Sequence, residues 1–467
     1  MKQSAIAPPV VNERLVSLDA FRGFIMMMLA ATGFGIANFS KLPPDSPVWA
    51  TDADGFLARQ LFNYDSWQTL GFHFDHPRWI SIFGTMGVSF WDLIQPCFMF
   101  MVGVSMPYSY KRREQNGESE KRRAAHAILR SIVLVLIGVF LSSTDAVRTN
   151  WIFPNVLCQI GLGYSFAYAV MRISERASQD DRGNRSLTKQ SAILWAGILL
   201  VLGSNWLFFS LNPPPSDFDY TNLDTDLTPK AGEVFTERFA PWSKNSNVAH
   251  RFDMWLLPRL RSPQVADAAA KSPGIFSKVL FSNPAAWTHN RGGYTTLNFW
   301  PSIATILLGV ICGQLLISPG TRWVKLGILF SLGLTCLILG LAGNQWLCPI
   351  VKRIWTPSWA LFSGAYAIWF LAVFYLLFDL LPLRKLAFPL VVVGTNSMLM
   401  YLLGQLFNGW TADKIVRIHL AGILEAVFGP DVLNMDLWGR LTVPTLVFLM
   451  YWLLALWLYR QKIFLRV

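Results

Sequence analysis

Runs of about twenty mostly apolar residues constrain this chain more than any other feature. A helix of that length crosses a hydrocarbon core roughly 30 Å thick, and soluble folds rarely need one. We read about ten of them, at 18–38, 86–108, 125–144, 151–172, 191–211, 298–317, 323–343, 357–380, 387–408 and 441–459. Composition agrees, with 53% hydrophobic and only 15% charged residues, the latter well below the roughly 25% of soluble domains. The expected fold is all-α: a polytopic integral membrane bundle of about ten or eleven spanning helices, forming a single domain over 1–467.

The formal charge of +12 acquires meaning only once it is placed. Lys111, Arg112, Arg113, Lys121, Arg122 and Arg123 fall in one short loop, and Arg176, Arg182, Arg185 and Lys189 in another. Arg322 with Lys325, Arg384 with Lys385, and Arg460, Lys462 and Arg466 continue the series. With ten spans, all of these lie on one side together with both termini. The excess of Lys and Arg marks that side as cytoplasmic. The charge is therefore topological, and a nucleic-acid partner is not expected.

The other side receives two long connections, 39–85 and 212–297, and the segment 409–440. The second is rich in aromatics, including Trp242, Trp255 and Trp287, and is expected to form a cap with a short helix near 252–260. Segment 411–427 has amphipathic spacing suited to the same interface. The N-terminal segment lacks the small-residue cleavage pattern of a signal peptide. The expected location is a bacterial-type inner (plasma) membrane. The five cysteines show no metal-ligand spacing and read as small hydrophobes, so no metal is expected.

Ionisable residues in or beside a span are costly unless paired, hydrated or used, about 2.5–3.5 kcal/mol each on insertion scales. The external side concentrates them in "FHFDHPRW", with His73, Asp75, His76, Arg78 and Trp79, followed by Asp92 in "FWDLIQPCFMFMVG". Asp92 either bonds a neighbouring helix or orients a ligand. A lone loop histidine is usually just exposed, which is the reading for His73. Asp19 and Arg22 stand i,i+3 at the cytoplasmic end of the first run, as an ion pair, a lipid-phosphate contact or an anionic-ligand contact. Lys352 with Arg353, and Asn396 with Ser397, are further candidates, the latter two for interhelical bonds or a substrate path. No phosphate loop, nucleophile elbow or dinucleotide glycine pattern is present.

Six stretches, in order, resemble the transmembrane acyltransferases typified by heparan-α-glucosaminide N-acetyltransferase. They are "SLDAFRG" (17–23), "HPRW" (76–79), "DLIQPCFMFMVG" (92–103), "NVLCQIGLGY" (155–164), "IVKRIWTPS" (350–358) and "GTNSMLMY" (394–401). The resemblance implies transfer of an acetyl or other acyl group from cytosolic acetyl-CoA to an amino or hydroxyl group of an extracytoplasmic sugar or glycan. It implies a catalytic histidine at His76, with Asp92 as its orienting carboxylate. Arg22 and Lys352 become candidate contacts for the donor's phosphates, and Asp19, Trp79, Asn396 and Ser397 substrate-side or structural residues. A homodimer is compatible with this reading. The chain departs from the family at Gly33, where an Asn is common, at Cys158-Gln159 in place of Gln-Arg, around 290–302, and at Gly404-Gln405. The alternatives are a multi-span transporter and a catalytically inactive scaffold of the same fold.

Overall fold

The computed structural model describes residues 15–50, 61–76, 78–180, 185–260 and 287–465. These residues are mostly helical. Helix α1 spans Val16–Ala30 and, after a break, continues as α2, Ile36–Ser40. A short α3, Tyr64–His73, precedes a two-stranded hairpin, β1 Ile82–Phe83 paired antiparallel with β2 Gly87–Val88. Then come α4 Phe90–Gln115, α5 Glu120–Leu141, α6 Val156–Ala177 and α7 Leu187–Ser210. The second long connection carries α8, Val248–Leu256. The remainder is α9 Phe299–Ile317, α10 Arg322–Trp346, α11 Pro357–Tyr375, α12 Phe388–Thr395, α13 Ser397–Leu406, α14 Ala421–Phe428 and α15 Gly439–Arg460.

Seven helices among the described residues are long and apolar enough to cross a membrane, and up to nine spans result if each of two bent pairs counts as one. This establishes a membrane-type helical bundle. The remaining run of the expected ten is α4. It is 26 residues long, about 39 Å at roughly 1.5 Å per residue, but Asp92, Gln95 and two prolines dilute its apolar character.

Local chemistry starts many of these helices. Ser119, Asn155, Ser186, Asn247 and Thr356 each accept a hydrogen bond from a first-turn backbone N–H of α5, α6, α7, α8 and α11, the standard satisfaction of an orphan donor. The first turn of α1 has a remote cap. The Asp379 carboxylate accepts from the N–H groups of Val16 and Ser17 at 3.0 and 3.1 Å. A carboxylate there also meets the positive end of the helix dipole. Nothing near Val16 in sequence announces it.

Helix α9 is the central post, buried along most of its length. One apolar cluster around it joins residues from Ala20 to Ala455. The two bent pairs lie side by side. Helix α1 breaks at Thr32–Gly35, where Gly33, Phe34 and Gly35 all take positive φ and α2 departs at 50°. The run expected at 387–408 breaks at Asn396, and α13 turns 65° from the helical stretch before it. Glycines lock the pairs together. A Cβ on Gly23 would lie 1.8 Å from the Leu390 carbonyl oxygen, and one on Gly394 would lie 2.0 Å from that of Asp19.

The connections gather at two ends. At one end the basic loops are threaded by acids: Arg123 and Arg185 pair with Glu114, and Arg172 and Arg176 with Glu120. At the other, the two long connections close over the helix ends. Trp79 is fully buried there, its indole N–H donating to the Trp242 carbonyl at 3.1 Å. Trp206 donates to Leu347 O and Arg238 to Gln345 O. The helix expected near 252–260 is α8, with a single further turn to Leu260.

Within this cap, burial pushes the Asp253 carboxyl up to about 6, only partly offset by the bond its Oδ2 accepts from Thr296 N. Its Oδ1 is buried without a partner. An acid with a raised folded pKa is most stabilising while protonated, so its contribution falls as pH rises from about 4 through about 6. Asp253→Asn is therefore expected to stabilise the fold at about pH 7.5, by on the order of 3 kcal/mol and with a higher thermal midpoint, and to change it little at about pH 4. Thermal unfolding of both proteins at both pH values checks this. An equal difference at the two would show that the Asp253 charge is not the cause.

Candidate active site

The first turn of α4 carries the centre of the site. Ser89, just before it, donates from its hydroxyl to the carbonyls of Asp75 at 2.8 Å and His73 at 3.0 Å. This clamps the end of α3 and the following loop onto α4. Asp75 in turn accepts from the His76 N–H at 2.8 Å and pairs with Lys41 at 2.6 Å. His76 is thereby held over the helix start, with Nδ1 2.8 Å from Asp92 Oδ1.

A third group arrives from the far end of the chain. Lys352 lies in the non-helical turn between α10 and α11, and this turn is stitched to the strand-like segment after His76. Ser81 N donates to Ile350 O, and Lys352 N donates to Ser81 Oγ, both at 2.9 Å. The ammonium so placed is 3.0 Å from Asp92 Oδ1 and 3.2 Å from His76 Nδ1. The Asp92 and Lys352 side chains are each only 4% exposed, whereas that of His76 is 41% exposed. The buried ion pair thus anchors a histidine whose outer edge is open.

The network assigns the tautomer. Asp92 Oδ1 accepts from both Lys352 Nζ and His76 Nδ1–H, and the Nζ···Nδ1 approach is that of two donors sharing one acceptor. Nε2 then carries the ring's lone pair. Beside this group, Gly33 at φ +60 packs against Trp91 and Phe74. A Cβ there would be 3.0 Å from Trp91 and 2.9 Å from Phe74, so a side chain at this position would have to displace one of these rings.

A cavity of about 1090 Å³ opens at the basic end. Its mouth carries Lys111, Arg112, Arg113, Arg130 and His126, and Arg22 also lines it. Deeper, the lining becomes apolar, with Phe98, Met101, Leu134, Leu157 and Ile160. From Asn116 to Phe98 the α4 wall extends about 27 Å at roughly 1.5 Å per residue, which brings the inner end within two turns of Asp92. Arg113 is tied to Glu118 at 3.0 Å and touches His126. Arg130 stacks over Tyr164.

The residues singled out from sequence therefore separate. His76, Asp92 and Lys352 come together. Arg22 does not join them. It donates from Nε to Gly394 O and from Nη2 to Asp19 Oδ1, both at 2.8 Å, at the other end of α1. Lys352, paired with Arg22 as a phosphate contact in the sequence reading, lies instead against the histidine. Ser397 lines the cavity. Asn396 is buried at the elbow of the second bent pair and holds the C-terminal tail, donating to Ile463 O and accepting from Leu465 N. Trp79 packs under the cap. In the sequence, Lys111, Arg112 and Arg113 signal only topology, and Arg130 falls inside the expected span 125–144. The stripe Phe98, Met101, Ser105, Ser109, Arg112 on one face of α4 is the pattern that announces the wall.

The chain is 25% identical over 430 residues to human heparan-alpha-glucosaminide N-acetyltransferase, and 25% identical over 416 residues to the mouse protein of that name. It resembles that enzyme. The matches cover 85% and 83% of this chain and 53% of each relative, so the chain spans about half the length of the curated relatives it matches. No family model matches it. The name of these relatives is that of an N-acetyltransferase, and the helices of this chain form a membrane-type bundle.

Proposed function

We propose that the protein is a single transmembrane acyltransferase domain. It moves an acetyl or other acyl group from cytosolic acyl-CoA to an amino or hydroxyl group of a sugar-type acceptor on the opposite side. One observation carries this reading: an open histidine is held by a buried Asp–Lys pair within about two turns of α4 from the inner end of a long cavity with a basic mouth. In this reading the basic loops and both termini are cytoplasmic. The donor's phosphates meet Lys111, Arg112, Arg130 and Arg22, and its acyl arm follows the apolar wall toward Asp92.

His76 Nε2 takes the proton of the attacking amine or hydroxyl, or first receives the acyl group itself. In either case the ring becomes cationic or acylated while Asp92 holds Nδ1–H and stabilises it. Lys352 keeps the buried Asp92 ionised, so that the carboxylate accepts rather than donates. The acceptor approaches from the cap side, where His76 is exposed.

The test is binding followed by transfer. Purified protein is expected to bind radiolabelled acetyl-CoA and to label glucosamine. Lys111→Ala combined with Arg112→Ala, which removes two mouth charges and no structural pair, should weaken donor binding about tenfold or more at low salt, with less effect at high salt. Donor binding insensitive to both charges and salt would place the phosphates elsewhere. The two interrupted spans favour one rival, a transporter. They break near opposite ends of the bundle, at Thr32–Gly35 and at Asn396, rather than at equivalent positions. Glucosamine uptake into proteoliposomes without acetylation would support the transporter.

A further inference from the structure

Between Asp92 and the cavity lies a pair of amides that the mechanism above does not use. Gln95 follows Asp92 by one turn on α4 and precedes the cavity-lining Phe98 by one turn, so all three fall on one stripe of the helix. Across from it on α6, Gln159 is flanked by Leu157 and Ile160, which both line the cavity. Gln159 is almost fully buried. Gln95 Nε2 donates to Gln159 Oε1 at 2.7 Å. Gln95 is the first amide on α4 past the cavity-lining Phe98, and the next polar side chain along the helix is the carboxylate that holds His76.

Two primary amides are costly in such surroundings unless hydrogen-bonded. Between them they own four N–H bonds, and their mutual contact uses one. Amides offer donors without net charge, which suits a neutral carbonyl better than an ammonium or guanidinium would. We propose that Gln95, held in place by Gln159, donates an N–H to the carbonyl oxygen of the donor's acyl group and stabilises the oxyanion formed during transfer. The proposal rests on the acyltransferase reading.

The step balances as follows. The nucleophile's lone pair forms the new C–N or C–O bond, and its proton passes to His76 Nε2. The carbonyl electrons move to oxygen, where the Gln95 N–H meets them. The carbonyl then re-forms as the C–S bond breaks, and the departing thiolate of CoA takes the proton from His76. If the acyl group first rests on His76, the same oxygen meets the same donor twice. Gln159 touches no reacting atom and is a positioning residue.

The test uses the full-length protein in detergent. Acetyl-CoA carrying ¹³C at the thioester carbonyl is bound to wild type, Gln95→Leu, Gln95→Met and Gln159→Leu, and its carbonyl stretch is read by isotope-edited infrared spectroscopy beside Kd and kcat. A hydrogen-bonded carbonyl absorbs at lower frequency. The wild-type band is expected to be shifted down. It should return to the unbonded position in both Gln95 variants, with kcat lower by about 100- to 1000-fold, as for loss of one oxyanion donor, and Kd nearly unchanged. Gln159→Leu is expected to broaden the band and lower kcat less. Gln95→Met keeps the side-chain length, so it reports even if the leucine variant misfolds. A carbonyl band or kcat that is the same in wild type and Gln95→Met overturns the role of Gln95 while leaving the acyltransferase reading intact. Failure of wild type to bind acetyl-CoA overturns both.

Discussion

His76→Ala is expected to reduce acyl transfer from acetyl-CoA to glucosamine by about 100- to 10,000-fold, the range typical of losing a positioned acid–base group. Donor binding should stay close to wild type. The prediction is sharp because the structure separates the histidine's chemistry from the protein's stability. His76 is the exposed member of its group, and removing its ring leaves Asp92 and Lys352 paired at 3.0 Å. The variant should therefore fold, run as wild type on size exclusion and retain labelled donor. Steady-state transfer assays with wild type and variant side by side measure the loss. Undiminished transfer would remove His76 from the reaction. Loss of donor binding together with transfer would mean that the histidine holds the cavity's inner end together instead of reacting over it.

Lys352→Met should produce the largest loss of stability. It removes the cation from a carboxylate buried at the start of α4 and leaves Asp92 only a histidine as partner. Breaking one side of a buried pair costs about 3–5 kcal/mol, because the remaining charge is stranded. The effect should be conditional. In Asp92→Asn/Lys352→Met no charge is stranded, and the double variant is expected to recover much of the stability while remaining inactive. A thermal-unfolding cycle over the wild type, both single variants and the double variant reads the coupling. Additive losses would show that the 3.0 Å contact carries no coupling. A stable, inactive Lys352→Met would instead give Lys352 a role in the reaction alone.

What was legible in the sequence is what apolar length and charge placement encode. The long apolar runs stand out because twenty such residues have few other uses, and α5, α6, α7, α9, α10, α11 and α15 lie where those runs are. The breaks were not legible. The runs 18–38 and 387–408 each read as one span, because periodicity and hydropathy are blind to a change of direction that no proline marks. The signals present were weaker: Gly33-Phe34-Gly35, with its tolerance of positive φ at the glycines, and the polar Thr395-Asn396-Ser397 inside an otherwise apolar run. Within the site, His76 and Asp92 are sixteen residues apart and belong to one motif-bearing stretch. Lys352 is 260 residues from Asp92, and its approach depends on the Ser81–Ile350 and Lys352–Ser81 bonds, which no local pattern foretells. The Asp379 cap on α1 was invisible for the same reason. Gln95 was quoted inside a motif without a role, since a glutamine in a span takes its meaning from the partner across from it.

The contact between Gly23 and Gly394 has a genetic corollary. Side-chain clashes are often relieved by second-site suppressors, because trimming one neighbour makes room for growth in the other. Here the obstacle on each side is a carbonyl oxygen of the opposing main chain, and both residues already lack a side chain. No substitution at either position can offer space to the other. A selection for revertants of Gly23→Val should therefore return true revertants to glycine, or changes that shift a whole helix, and never a compensating change at residue 394.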